Sequence, residues 1–207
     1  MRCIHCHYFL SMSSDVYTTI ALPNEVLLKE KGSKHLGFSH AINSREEASE
    51  LLKKYRELHP KANHVCSAYV LLNGEEYASD DGEPKNSAGP PILGQIKSKN
   101  LVNVLVVVIR YFGGTKLGIP GLIKAYKETA ALVLDASEQK VIELRESIVV
   151  LFDYSLESSV KRLIHEHGIE IGKQEFNEKV TWELLVQPNL KKPVTHQLLE
   201  IHGLEII

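Results

Sequence analysis

Sulfur, tryptophan and long apolar stretches are all scarce in this chain, and each shortage closes off a class of protein. Three cysteines in 207 residues is an odd number with no framework spacing, which argues against a disulfide-stapled scaffold and fits a reducing compartment. The longest near-continuous apolar run, Leu101–Ile109, is broken by Asn103 and is far too short to span a bilayer, so no membrane partner is expected. Arg2 is followed by no sustained apolar core and no small-residue cleavage site, and a cytoplasmic location is the expectation. Charge of one sign is lacking too: 24 Lys and Arg against 26 Asp and Glu leave a formal net charge of −2, without the global signature of a polyanion binder. Internal repeats and low-complexity tracts are absent.

What is present reads as an ordinary globular chain, 43% apolar and 24% charged, long enough for two small domains. Its charge is unevenly spread. Residues 1–137 carry 16 basic against 14 acidic side chains, and residues 138–207 carry 8 against 12, so a nucleic-acid contact belongs in the first part. Residues 1–14 show no periodicity and read as unstructured, or as absent from the cell if Met12 is the true start.

Strand-like text runs over Tyr17–Leu22, Glu25–Glu30 and Leu36–Ile42. Ser44 and Glu47 form a capping box for a helix with Ala48, Leu51, Leu52, Tyr55 and Leu58 on one face, stopped by Pro60. A hairpin follows, His64–Leu72 and Tyr77–Ser79 about Asn73-Gly74. Beyond the polar loop Asp80–Gly89, Pro90 and Pro91 open a short helix with Ile92, Leu93 and Ile96 inward. Val102–Phe112 predicts a central strand, apolar on both faces, and Ile119–Ala136 a helix packed through Leu122, Ile123, Tyr126, Ala130 and Val133.

Near residue 138 the pattern restarts. A strand over Val141–Tyr154 leads to a helix capped by Ser155, with Leu156, Val160, Leu163 and Ile164 inward and Gly168 at its end. A hairpin of Ile169–Phe176 and Val180–Gln187 precedes a helix capped by Asn189 and a last strand, Leu204–Ile207. Strand, helix, strand, strand, helix, strand is the ferredoxin-like βαββαβ unit. The expected fold class is therefore α+β in two domains, residues 15–137 and 138–207.

The most distinctive stretch is Arg110-Tyr111-Phe112-Gly113-Gly114-Thr115-Lys116-Leu117-Gly118, where the central strand passes into a helix. Adjacent glycines let a backbone approach a ligand, a helix N-terminus offers free N–H donors, and Arg110, Lys116, Lys124 and Lys127 add positive charge. From Gln95 to Lys127 there are six basic residues and no acid. Tyr111 or Phe112 could stack on a base. Equally, Gly113-Gly114 could be a tight turn and Arg110 a structural partner for a nearby acid.

The loop Asp80-Asp81-Gly82-Glu83-Pro84-Lys85-Asn86-Ser87-Ala88-Gly89 holds three carboxylates in four positions. They could hold Mg²⁺ or supply a general base. They could instead make a rigid acidic turn pairing with Arg110 or Lys116, and with no further ligand cluster nearby no metal is expected. His64 and Cys66 lie two apart on a strand and share a face, which allows a nucleophilic dyad, although free cysteines are more often packing residues. Cys3, Cys6 and His7 formally match the haem-attachment pattern, yet that attachment needs export and four potential zinc ligands in five residues are too crowded for a structural site. Neither haem nor another cofactor is expected. His165, His167, His196 and His202 read as surface or helix-end residues.

Five motifs in register carry a resemblance to the YigZ/IMPACT family. They are Asn63-His64-Val65-Cys66-Ser67-Ala68-Tyr69, Asp80–Pro84, Ala88-Gly89-Pro90-Pro91-Ile92-Leu93, Val107–Gly118, and Gly121-Leu122-Ile123-Lys124-Ala125-Tyr126. The resemblance implies a first domain like one shared by a small-subunit ribosomal protein and elongation factor G, and a second domain like the last domain of that factor. It also implies a translation-linked binder of RNA, the ribosome or a translation factor, and no settled reaction. Where the family usually has Ser-Gly-Thr after Pro84 this chain has Lys85-Asn86-Ser87, and Asn is the side chain that best tolerates the positive φ that a glycine position suggests. The expectation is a regulator or binder, leaning away from an enzyme. Its cleft lies between Asp81, Gly82, Glu83, Pro84, Ser87, Ala88 and Gly89 on one side and Arg110–Gly118 with Lys124 on the other, Asp81 and Glu83 holding the basic groups in place. The alternatives are a hydrolase using Asp81 or Glu83, helped by His64, and a pure protein-docking module.

Overall fold

The computed structural model describes residues 15–207. The Cys3–Cys6–His7 pattern and Met12 lie outside the described residues. In chain order the elements are β1 (Val16–Ile20), β2 (Asn24–Glu30), β3 (Ser33–Ala41), α1 (Arg45–Leu58), β4 (His64–Val70), β5 (Glu76–Ser79), α2 (Gly89–Ser98), β6 (Val104–Tyr111) and α3 (Gly118–Ala136). They continue with β7 (Gln139–Glu143), β8 (Glu146–Phe152), a 3₁₀ turn (Tyr154–Leu156), α4 (Glu157–His167), β9 (Glu170–Phe176), β10 (Val180–Val186), α5 (Pro188–Leu199) and β11 (Glu205–Ile206). The contacts separate two compact units, residues 18–142 and residues 143–207 with residues 15–17. No helix among the described residues is long and apolar enough to cross a membrane.

The first unit is a five-stranded sheet in the order β2-β3-β6-β4-β5, with β1 and β7 forming a separate pair. Every pairing in the five-stranded sheet is antiparallel. β2–β3 and β4–β5 are hairpins, and β6 inserts between the two strands that α1 joins. Antiparallel sheets often leave one face wet, but β6 is buried on both. Val104, Val106 and Val108 enter a core with Ile92 and Ile96 of α2 and Leu122, Tyr126 and Val133 of α3. The alternating Leu105, Val107 and Ile109 enter a second core under α1, with Ala48 and Tyr55. Residues 104–109 are all 0% exposed, each side chain contributing about 1.5–3 kcal/mol of burial.

Ser44 caps α1 by accepting from the Glu47 N–H at 3.2 Å, while the Glu47 carboxylate reaches the Asn43 N–H at 2.8 Å, one residue earlier than a strict capping box. Leu58 and Ile123, both read as inward, are exposed, and α3 instead buries Ala125, Thr129 and Leu134. In the second unit the sheet order is β11-β8-β10-β9, all antiparallel, with α4 between β8 and β9 and α5 between β10 and β11. Its core holds Phe152, Trp182, Leu184, Val160 and Leu198, with Trp182 set edge-on to Phe152. Two expected caps move. The 3₁₀ turn carries Ser155, so α4 starts from Leu156, and Pro188 at the first position of α5 makes Gln187 the cap in place of Asn189. Gly168 ends α4 in the left-handed region, as expected.

Backbone contact sets the tightest constraint on the first unit. A Cβ on Gly113 would lie 1.9 Å from the Gly32 carbonyl carbon at the β2–β3 turn, whereas Gly94, inside α2, faces nothing within 4 Å. Gly113→Ala is therefore expected to destabilise the protein by about 2–4 kcal/mol. Gly94→Ala is expected to stabilise it by about 0.5–1 kcal/mol through backbone entropy. Urea unfolding midpoints of the two variants check both signs.

Candidate functional site

The antiparallel register aligns His35 of β3, Arg110 of β6 and His64 of β4 in one row on the α2/α3 face. Glu83 enters this row from the loop before α2. Its Oε1 accepts from Arg110 Nη1 at 2.7 Å and from the Tyr126 hydroxyl at 2.8 Å. The Arg110 side chain is 7% exposed and that of Glu83 3%, so the pair is a buried one whose Coulomb gain must offset several kcal/mol of desolvation per ion. The second acceptor bond from Tyr126 serves that end. Arg110 Nε is buried without a hydrogen-bond partner among the described residues, and the guanidinium lies 5.7 Å from the centre of the Phe112 ring.

The loop that delivers Glu83 is organised by Asp80. One carboxylate oxygen accepts from the Ala88 and Gly89 N–H groups at 2.9 and 2.8 Å, the other from Asn86 at 2.7 Å. An anion is thereby seated on the first N–H groups of α2. Asn86 has φ +63, so the departure from glycine is accommodated by the residue type that best accepts it. Gly89 has no freedom, since a Cβ there would meet the Ser79 nitrogen at 2.6 Å. Ser87 Oγ donates to the Pro84 carbonyl at 2.6 Å within the loop.

Asp81 does not share Glu83's role. It turns to the other side of the sheet, accepting from the Val65 N–H at 2.6 Å and pairing with Arg56 of α1 at 2.5 Å. The expectation that Asp81 and Glu83 together hold the cleft's basic groups is therefore corrected: Glu83 holds Arg110, and Asp81 ties the loop to β4 and α1. The three carboxylates point apart, and among the described residues no cluster of His, Cys, Asp or Glu is arranged to hold a metal.

An open cleft of about 330 Å³ lies over this row. Glu83, Arg110 and His64 form its floor, and Phe112, Lys116, Ile119, Leu122 and Pro84 its walls. Phe112 is 46% exposed. Leu117, the residue capping α3, makes no side-chain capping bond, and the first turn of α3 carries no acid. The free N–H groups there favour an anion. His64 Nδ1 is 2.8 Å from the Asp81 carbonyl oxygen, which can only accept, so Nδ1 carries the proton and Nε2 is bare in the neutral ring. Nε2 lies 3.8 Å from Glu83 Oε2.

Several residues singled out by sequence sit elsewhere. Tyr111 faces α1 and bonds His59 at 2.8 Å, leaving Phe112 as the aromatic of the cleft. Gly113 approaches Gly32 and not a ligand, while Gly114 (φ +88) faces open space and Gly118 (φ +71) starts α3. Lys124 is exposed on α3 outside the cleft lining. The dyad of His64 and Cys66 is not formed. Cys66 donates to the Asp80 carbonyl at 3.0 Å and sits 3.4 Å from the Tyr126 hydroxyl, and burial pushes its thiol up to about 12, which holds it protonated. Burial likewise raises Tyr126 far above its ordinary value. Sequence reading had Asp80 only among the loop carboxylates and Tyr126 only on an inward helix face, without the roles seen here, and it missed His35.

His35 is 0% exposed, its ring edge-on to Tyr126, and neither ring nitrogen has a hydrogen-bond partner among the described residues. Burial, and then the Arg110 charge, lower it to about 4.

Against known proteins, residues 31–134 match the Impact N-terminal domain, a span that contains every residue of the cleft. The IMPACT family member YvyE of Bacillus subtilis is 30% identical over 176 residues, covering 83% of this chain and 80% of that one. A crystal structure of a hypothetical protein, 23% identical, superposes over 94% of this chain and 97% of its own with a TM-score of 0.69, a likeness of fold. The two-domain translational regulator Yih1, 27% identical, aligns over 61% of this chain and 52% of its own at a TM-score of only 0.35.

Removing one partner of the buried pair strands the other. Arg110→Met is expected to cost about 3–5 kcal/mol, and adding Glu83→Met to recover part of that loss, as read by chemical denaturation. Acid exposes His35. Because its folded value lies below the unfolded 6.5, protons bind the unfolded chain preferentially, so this contribution is intact above pH 6.5 and is lost as pH falls toward 4. The full loss is on the order of 3 kcal/mol, and a His35→Leu variant should show a flatter acid limb in thermal melts.

Proposed function

The chain belongs to the IMPACT family, and from that premise we propose that it acts in translation by binding RNA, or another phosphate-bearing ligand of the translation apparatus, in the cleft of its first unit. The observation that carries this reading is Arg110, nine-tenths buried with an Nε unpartnered among the described residues, on the floor of an open and largely apolar cleft. Around that floor stand the features a nucleotide needs. Phe112 offers an exposed ring for stacking, Lys116 a cation with no ion pair among the described residues, and the start of α3 the N–H groups of Gly118 and Ile119. Lys124 and Lys127 lie exposed further along α3, where a longer strand would pass them.

Two expectations of architecture join this reading: a first domain of the elongation-factor-G type and a ferredoxin-like second domain, joined near residue 138. The topology β11-β8-β10-β9 supports the second of these. A hydrolase with an acid-loop metal finds less support, since the loop carboxylates are engaged separately by backbone N–H groups, Arg56 and Arg110.

Because Arg110 is needed for the fold, the test uses Phe112→Ala with Lys116→Ala. Wild type should bind fluorescent single-stranded RNA with a log–log salt slope of about −2 if three phosphates are neutralised, and the variant should bind at least about tenfold more weakly with a slope flatter by about 0.7. Absence of binding by wild type at low salt overturns the proposal.

A further inference from the structure

The mouth and the floor of the cleft have opposite chemistry. The mouth is built for an anion, with Lys116 and the free N–H groups of α3. The floor presents two hydrogen-bond acceptors side by side. Glu83 Oε1 is occupied by Arg110 and Tyr126, but Oε2 accepts no hydrogen bond from the described residues. His64, its Nδ1–H committed to the Asp81 carbonyl, turns Nε2 toward that oxygen at 3.8 Å, too far for a direct hydrogen bond. In the neutral ring two lone pairs then face each other across a gap that a donor from outside would satisfy. Both groups line the cleft, beside the guanidinium of Arg110 and below the Phe112 ring.

We propose that this floor is a base-reading subsite in which Glu83 Oε2 and His64 Nε2 accept the N1–H and 2-amino hydrogens of a guanine, with Phe112 stacking on the base and Lys116 meeting its phosphate. The inference rests on the RNA reading of the cleft and deepens it. Guanine is the base whose pairing edge carries two neighbouring N–H donors next to an acceptor, O6, and Arg110 supplies the adjoining donor. Uracil offers one donor on that edge, and adenine and cytosine set a single amino group beside an acceptor. A cationic peptide could also satisfy two acceptors, but Lys116 at the mouth repels it, whereas a nucleotide brings its phosphate there. The cleft, about 330 Å³, stands at the small end of the roughly 300–1,000 Å³ range of ligand pockets, which suits one unpaired nucleotide and excludes a duplex.

Fluorescence anisotropy at mildly alkaline pH, where imidazole is neutral, tests this with labelled uridine pentamers carrying guanosine, inosine or uridine at the centre. The guanosine pentamer should bind about tenfold tighter than the all-uridine one, and inosine, which keeps N1–H but lacks the 2-amino group, should fall between them. Glu83→Gln keeps an oxygen for Arg110 and Tyr126 but puts an amide donor where Oε2 accepted, so the N1–H of guanine would meet another donor. The guanosine-to-uridine ratio should then fall to about one. His64→Leu, which removes one acceptor without touching the Arg110–Glu83 pair, should bring guanosine down to the inosine affinity. Thermal melts establish that both variants are folded. Equal affinities for the three pentamers on wild type overturn the base-reading subsite and leave the RNA reading standing. No binding of any pentamer overturns both. A guanosine preference that survives in folded Glu83→Gln also overturns it.

Discussion

The first unit is organised around one buried ion pair. Arg110 sits near the end of a strand whose preceding positions, Val104–Ile109, are all apolar, and its charge can stay there only because Glu83 meets it at 2.7 Å. Glu83 in turn belongs to a loop with no regular structure of its own, and Tyr126 to the middle of α3. Three segments far apart in sequence therefore converge on one carboxylate. Such pairs add little net stability over an apolar substitute, because desolvation consumes most of the Coulomb energy. What this one provides is position: it fixes where the loop crosses the sheet and which face of α3 looks inward.

The remaining walls of the cleft are held by backbone chemistry. Asp80 takes three N–H groups across the start of α2, so the loop bearing Glu83 cannot drift from the helix it precedes. Gly89 lies against Ser79, and Gly113 against Gly32, at separations that admit no side chain. Of the glycines that read as freedom for a ligand's approach, Gly89 and Gly113 are closed by the protein's own chain, while Gly82, Gly114 and Gly118 keep left-handed backbone.

The cleft that results is electrically divided. Arg110 and Glu83 cancel, His35 is buried and neutral at ordinary pH, and the formal charge left at the mouth is that of Lys116. An apolar, weakly charged cleft with an aromatic wall is in keeping with the proposed ligand, part ring and part anion. The shared span of the family match, residues 31–134, encloses all of these groups, whereas the acidic second unit presents no comparable convergence among its described residues.

The sequence by itself determined most of the elements, the α+β class, the helix punctuation at Ser44, Pro60, Pro90 and Gly168, and the two stretches that build the cleft, although the one strand expected over Val141–Tyr154 is two, β7 and β8. These depend on local periodicity, caps and turns, which a few neighbouring residues specify. It also carried the family, through five motifs in register. Only the tertiary structure decided which carboxylate faces the arginine. Asp81 and Glu83 are two residues apart in one loop, and Asp81, with φ +43, sends its side chain to Arg56 on the far side of the sheet. It likewise decided between Tyr111 and Phe112, made Asp80 an anchor and buried His35 beside Arg110. Each of these depends on strand register and on a partner at least six residues away, and a charge or a lone pair has no fixed role until folding has chosen what it faces.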